Sequence, residues 1–210
     1  GVSIGDDGGS QMALEDLAMF RSIPGSVVFY PSDAVAMERA VELAAGTKGI
    51  AYIRSSRPET PVIYGCDEQF AIGKAKVVRM TDRDNICMVS AGVTLFEILK
   101  AATLLQEHGL SPRVIDLFTV KPIDSTTLLE AARACGGKVI TVEDHYIEGG
   151  IFEAVSSALA PYTDICIKGI AVSEVPHSGK PAELLEKYGI SAALAFKPCL
   201  RAASSPFSAK

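Results

Sequence analysis

No stretch of this 210-residue sequence approaches the roughly 20 consecutive apolar residues that a bilayer-spanning helix requires, so a membrane protein is not expected. The opening "GVSIGDDGG" has neither the basic start nor the apolar centre of a secretory signal. It also lacks an initiating methionine, so Gly1 is expected to be a start set by processing or by where the chain was cut. Basic residues are scattered and the net charge is −5, with a pI near 5.3. Nucleic-acid binding therefore has no electrostatic support. No CxxC pair exists for zinc or redox work, and no Walker A or GxGxxG loop occurs. The five cysteines are widely spaced and odd in number, which reads as reduced, packed thiols in a cytoplasmic protein.

What is present describes a folded chain. Apolar residues make up 48% and charged residues 21%, enough for a substantial core. Hydrophobic period alternates between strand-like and helix-like. A helix is expected over Gln11–Arg21 with Ser10 as its cap, a strand over Val27–Tyr30, a helix over Asp33–Ala45 and a strand over Ile50–Ile53. From Pro58 to Ile72 the pattern fails, as in a connection between domains, and Lys74–Met80 reads as an edge strand or as the last part of that connection.

A more regular unit follows. Strands are expected at Ile86–Gly92, Arg113–Phe118, Lys138–Val142 and Asp164–Val172. Helices are expected after Thr94, over Ser125–Cys135 and over Ile151–Ala160, the first with a Thr94–Glu97 capping box. Continuous apolar strands, each followed by a helix, imply a mainly parallel sheet covered on both faces. The fold class is thus α/β: a partial doubly wound sheet over residues 1–64, a linker over 65–81, and a complete three-layer domain over 82–210. The first part has an uncovered edge, so it either pairs with another chain or belongs to a longer one.

Four stretches hold chemistry-bearing residues. Arg54 and Arg57, just past a strand's C-terminal end, suit a phosphate or carboxylate, or salt bridges to Glu59 or Asp67. "GDDGGSQ" at 5–11 offers Asp6 or Asp7 to a polyol, or forms an Asx-turn. "VEDHYIEGG" at 142–150 gathers Glu143, Asp144 and His145, as an active site, an interface or a structural network would; a metal site is poorly supported. "SGKPAE" at 178–183 reads as the start of a terminal helix, and neither His108 nor His177 has a nucleophile at recognisable spacing.

Three segments taken together are similar to one family. "GVSIGDDGGSQMALEDLAMFRSIP", "FYPSD…YIRSSRPE" and "VITVEDHYIEGGI…VPHSGKPAELLEKYGI" closely resemble eukaryotic transketolases, from residue 1 to about 190. The resemblance covers only such an enzyme's C-terminal third. It implies transfer of a two-carbon ketol unit between ketose and aldose phosphates, with thiamine diphosphate and a divalent metal (Mg or Ca). By resemblance Arg57 would grip the sugar phosphate and Asp7 a donor-sugar hydroxyl. Gln11 would lie beside the cofactor's aminopyrimidine, and Arg54 would be structural. Gly9 stands where the family usually has proline, which should loosen the Asp7 loop. The family's catalytic glutamate and metal-diphosphate signature have no counterpart here, so the chain alone is expected to be inactive and to hold no metal. The implied partners are a second copy in a homodimer or a complementary fragment, with Glu143–His145 assigned to dimer contacts. A non-catalytic dimerisation or partner-binding module is the alternative reading.

Overall fold

The computed structural model describes residues 1–204; the last six residues of the expected 82–210 domain lie outside them. Eight strands and seven α-helices are formed by the described residues. The N-terminal part contributes α1 (Asp16–Ser22), β1 (Val27–Phe29), α2 (Ala34–Ala45) and β2 (Ala51–Ile53). An irregular stretch then leads to β3 (Lys76–Arg79). The C-terminal part continues with β4 (Ile86–Ser90), α3 (Val93–Glu107), β5 (Pro112–Asp116), β6 (Thr119–Lys121), α4 (Ser125–Ala134), β7 (Lys138–Tyr146), α5 (Ile151–Leu159), β8 (Cys166–Val172), α6 (Pro181–Lys187) and α7 (Ala192–Ser204).

The larger sheet has the order β3-β5-β4-β7-β8, parallel except for β3, which closes one edge antiparallel to β5. Alternation along β4 assigns its two faces. Ile86 and Met88 pack toward α3 and α7, whereas Cys87 and Val89 pack toward α4 and α5. Five consecutive buried residues in β4 are what a strand covered on both faces demands. This is the three-layer α/β unit expected from the sequence.

The smaller sheet, β2-β1-β6, covers one side of β1 with β6, while β2 remains an edge with no further strand beside it among the described residues, as expected of the first part. The C-terminal part folds back after Asp116, through buried Leu117 and Phe118, and lays β6 antiparallel against β1. The strand expected to reach Phe118 therefore ends at Asp116, and β6 begins beyond it at Thr119. Each large apolar cluster also mixes both parts: Val2, Met12 and Leu14 join the α3 side, while Leu17, Val28 and Tyr30 join the α4 side. The two segments share one interior.

Local expectations also shift. Residues 5–13 form turns rather than a helix, with Ala13 at φ +47°, and α1 begins five residues later than expected, with no side-chain cap. Burial of Met12 and Leu14 holds that loop in the core and delays the helix. The Thr94–Glu97 box does not form. Gly92 occupies the N-cap at φ +59°, Thr94 Oγ1 donates to the Ala91 carbonyl, and Glu97 accepts from the Ala192 amide at 2.7 Å. The helix α7 was not foreseen, and Cys66 and Cys166 are exposed rather than packed.

Candidate functional site

The C-terminal ends of β1 and β2 deliver Tyr30 and Arg54 to the same place, with the Arg54 amide bonded to the Phe29 carbonyl at 3.0 Å. Asp16, the first residue of α1, meets them there. Its Oδ2 accepts from Arg54 Nε at 3.0 Å and from the Tyr52 hydroxyl at 2.6 Å. The Arg54 guanidinium also lies 4.8 Å from the centre of the Tyr30 ring, a cation–π contact. Arg54 is 5% exposed, so its charge persists only because it is compensated. Burial alone would lower its pKa, but Tyr30, Asp16 and Asp144 together raise it. Burial, then the bond to Asp16, pushes Tyr52 upward and keeps its hydroxyl protonated.

Arg57 behaves differently. Its side chain is 60% exposed and pairs with Asp7 at 2.5 Å, bringing the loop before α1 to the end of β2. Neither Glu59 nor Asp67 is its partner. A pocket of about 180 Å³ runs inward from Arg57, walled by Gln11, Ser55, Ser56, Arg54 and Tyr30. Arg54 Nη1 is buried there without a hydrogen-bond acceptor. Thus Arg57 and Gln11 share one pocket, with Asp7 attached to its edge through Arg57 rather than on its wall.

The Asp7 loop is braced by the segment leading into α6. A Cβ on Gly8 would come within 2.7 Å of Ser178 Oγ, and one on Gly9 within 2.8 Å of the Pro176 carbonyl. Gly9 therefore fits a tight contact across the loop. Two cations and an acid around a small polar cleft can hold an anionic, hydroxylated small molecule. Among the described residues no group of three His, Cys, Asp or Glu side chains could hold a metal ion.

Glu143, Asp144 and His145 do not reach the surface, which corrects their assignment to dimer contacts. Strand β7 runs on to Tyr146 and carries all three inside, each 0% exposed. Glu143 accepts from the amides of Ile151 and Phe152 at the start of α5. Asp144 accepts from the amides of Val2 and Ser3, at 2.6 and 3.1 Å. Burial holds His145 down to about 4, so the ring is neutral: Nδ1 faces the Tyr146 carbonyl at 2.5 Å and Nε2 the Ala18 amide at 3.4 Å. The cluster ties the two parts of the chain together.

Sequence reasoning missed Asp16, Tyr30 and Tyr52, the seat of Arg54. The helix expected from Gln11 gave no signal that Asp16 would instead open α1 and meet Arg54. Tyrosines just inside or after two strand ends were the available signal.

Comparison with known proteins places this arrangement. A model described as the transketolase pyrimidine binding domain matches residues 1–62, and one for the transketolase C-terminal domain matches residues 73–194. The chain belongs to the transketolase family. It is 59% identical to human transketolase over 190 residues, covering 90% of this chain and 30% of that protein. Mouse transketolase-like protein 2 is 59% identical over 192 residues, covering 91% of this chain and 31% of that protein. The chain therefore spans about a third of the length of these transketolase relatives. A solved structure described as a split-gene transketolase, an inactive β4 tetramer, superposes with TM-score 0.84 at 34% identity, over 93% of this chain and 64% of that one. Transketolase from Campylobacter jejuni shares the fold at TM-score 0.72 and 18% identity, covering 95% of this chain and 30% of that one.

Proposed function

We propose that this chain is the sugar-phosphate-binding part of a transketolase, which transfers a two-carbon ketol unit between ketose and aldose phosphates. The observation that carries the reading is the exposed Arg57 paired with Asp7 beside the Gln11 pocket. One guanidinium edge on Asp7 leaves further N–H donors for a phosphate, and a planar fork suits that group. Asp7, held in place by the same contact, accepts from a sugar hydroxyl.

Gln11 fits a heterocycle's polar edge, since its side chain is exposed in the pocket wall. Thiamine diphosphate would supply the carbanion chemistry when bound; this chain's share is to position the sugar and one edge of the cofactor. Donors for a divalent ion come from another polypeptide in this reading, as does the catalytic glutamate. The chain alone then turns over no sugar phosphate.

Complementation tests this. Mixing the chain with a separate upstream transketolase fragment should restore conversion of xylulose 5-phosphate and ribose 5-phosphate. Arg57→Ala should weaken sugar-phosphate binding by about 2–4 kcal/mol, the range for truncating one partner of a desolvated charge pair. Equal complementation by the variant, or turnover by the unassisted chain, overturns the assignment.

A second reading is a non-catalytic assembly module. It is favoured by the likeness to a transketolase part that assembles as an inactive tetramer. Self-association in sedimentation, with no binding to the upstream fragment, would select it.

A further inference from the structure

Arg21, Lys121 and Ser157 come from three elements and wall one cavity of about 250 Å³ where the two parts of the chain meet. Arg21 lies in the last turn of α1, Lys121 ends β6 and Ser157 sits on α5. Both cations are held on neutral carbonyls. Lys121 Nζ donates to the carbonyls of Arg21, at 2.8 Å, and of Ile23, the C-cap of α1, a place where the helix dipole favours positive charge. Arg21 Nη1 donates to the carbonyls of Gly149 and Gly150, just before α5.

These bonds leave donors over. An ammonium has three N–H groups and a guanidinium five, so one on Lys121 and those on Nε and Nη2 of Arg21 have no acceptor among the described residues. Neither half-buried side chain forms an ion pair with an acid among the described residues. Burial lowers the pKa of Arg21, and the fields of Glu153 and Glu143 offset that only in part. Two cations fixed beside one cavity attract an anion into it.

We propose that this cavity is a second anion site, which takes the phosphate group of free phosphate or of a small phosphomonoester. Nε and Nη2 of Arg21 form a planar fork for two phosphate oxygens, Lys121 adds a point charge, and the exposed Ser157 hydroxyl adds a further donor. A phosphate fits this set better than a carboxylate, because it offers more than two oxygens to donors arriving from three elements. The apolar wall of Val120, Ile123 and Ala158 accommodates a short carbon chain. The bound group clamps the end of α1 against β6 and α5. No residue lines both this cavity and the pocket beside Arg57, so the site does not rest on the proposed activity.

The experiment uses the full chain carrying Arg57→Ala, which removes the other proposed phosphate contact. It is titrated with inorganic phosphate and, separately, with ribose 5-phosphate, followed by calorimetry and thermal unfolding. Binding should be one-to-one and should raise the unfolding temperature, since the ligand favours the folded state. Adding Ser157→Glu puts a carboxylate at the cavity while leaving the carbonyl bonds of both cations intact, so the fold is kept. It should weaken binding at least about tenfold through like-charge repulsion. Adding Lys121→Met instead should also weaken it. Binding of both ligands assigns the phosphate group alone, binding of ribose 5-phosphate only assigns an ester, and either result upholds the site. Failure of the Arg57→Ala chain to bind either ligand, or binding unchanged by Ser157→Glu and by Lys121→Met, overturns it.

Discussion

Asp16 holds Arg54 at 3.0 Å in a contact where neither side chain exceeds 7% exposure, and the pair joins the first turn of α1 to the end of β2. The ion pair has company: Tyr52 shares the same carboxylate oxygen and Tyr30 covers the guanidinium. A charge pair buried this completely contributes most visibly when one member is lost, because the survivor is stranded without water.

Asp16→Ala should therefore lower unfolding stability by about 3–5 kcal/mol in urea titration, the range for breaking a buried pair. A smaller loss is expected for the paired replacement Asp16→Ala with Arg54→Met, which strands no charge. A single variant as stable as the parent would show that Arg54 is solvated.

Arg57→Ala should leave the unfolding midpoint nearly unchanged, within about 0.5 kcal/mol, as for other exposed pairs. The contrast with Asp16 separates a fold-holding arginine from one available to a ligand. A loss as large as that of Asp16→Ala would put Arg57 in the framework instead.

Stability should rise on moving from about pH 8.5 to about pH 6.5. Burial raises Asp116 from 3.8 to about 7, opposed by the hydroxyls of Tyr64 and Ser32 and reinforced by Asp33. Burial likewise raises Glu143 from 4.5 to about 8, against the amides of α5. A folded acid with a raised pKa binds protons more readily than the unfolded one. Its favourable contribution is complete below the unfolded value and is lost as pH climbs through 7 and 8. His145, lowered from 6.5 to about 4, works the other way and erodes stability as pH falls below 6.5. Urea midpoints across this range check the shape, and Asp116→Asn should flatten the alkaline limb.

Gly92→Ala should be severely disruptive. A Cβ there would sit 2.0 Å from the Tyr30 ring, and the residue's φ of +59° is costly for a side chain. The joint between β4 and α3 packs directly on the N-terminal part, so the ring has to move and Arg54 loses its cover. A loss of at least about 2 kcal/mol is expected from strain and overpacking together. Near-native thermal unfolding would refute that packing.

The strand–helix alternation was legible because parallel strands and amphipathic helices write their periods locally. Val27–Phe29, Ala34–Ala45 and Ile86–Ser90 lie almost where expected. The α6 helix after "SGKP" likewise forms. The start of α1 was not legible, since the pull of a distant core on Met12 and Leu14 outweighed a good local cap at Ser10. Strand β6 was not foreseen, since it exists because β1, far back along the chain, offers it an edge.

The same division runs through the site. Position along the chain alone put Arg54 and Arg57 beyond a strand end, where α/β sheets present ligands. Which arginine is walled in and which faces solvent depended on Asp16, Tyr30 and Tyr52 arriving from other elements. Glu143, Asp144 and His145 resembled surface chemistry until β7 carried them inside, where the amides of α5 and of residues 2–3 satisfy the two carboxylates. Local order follows from side-chain period and backbone preference, which any short segment states for itself. The fate of a charge depends on what surrounds it in three dimensions, and those neighbours come from far along the chain.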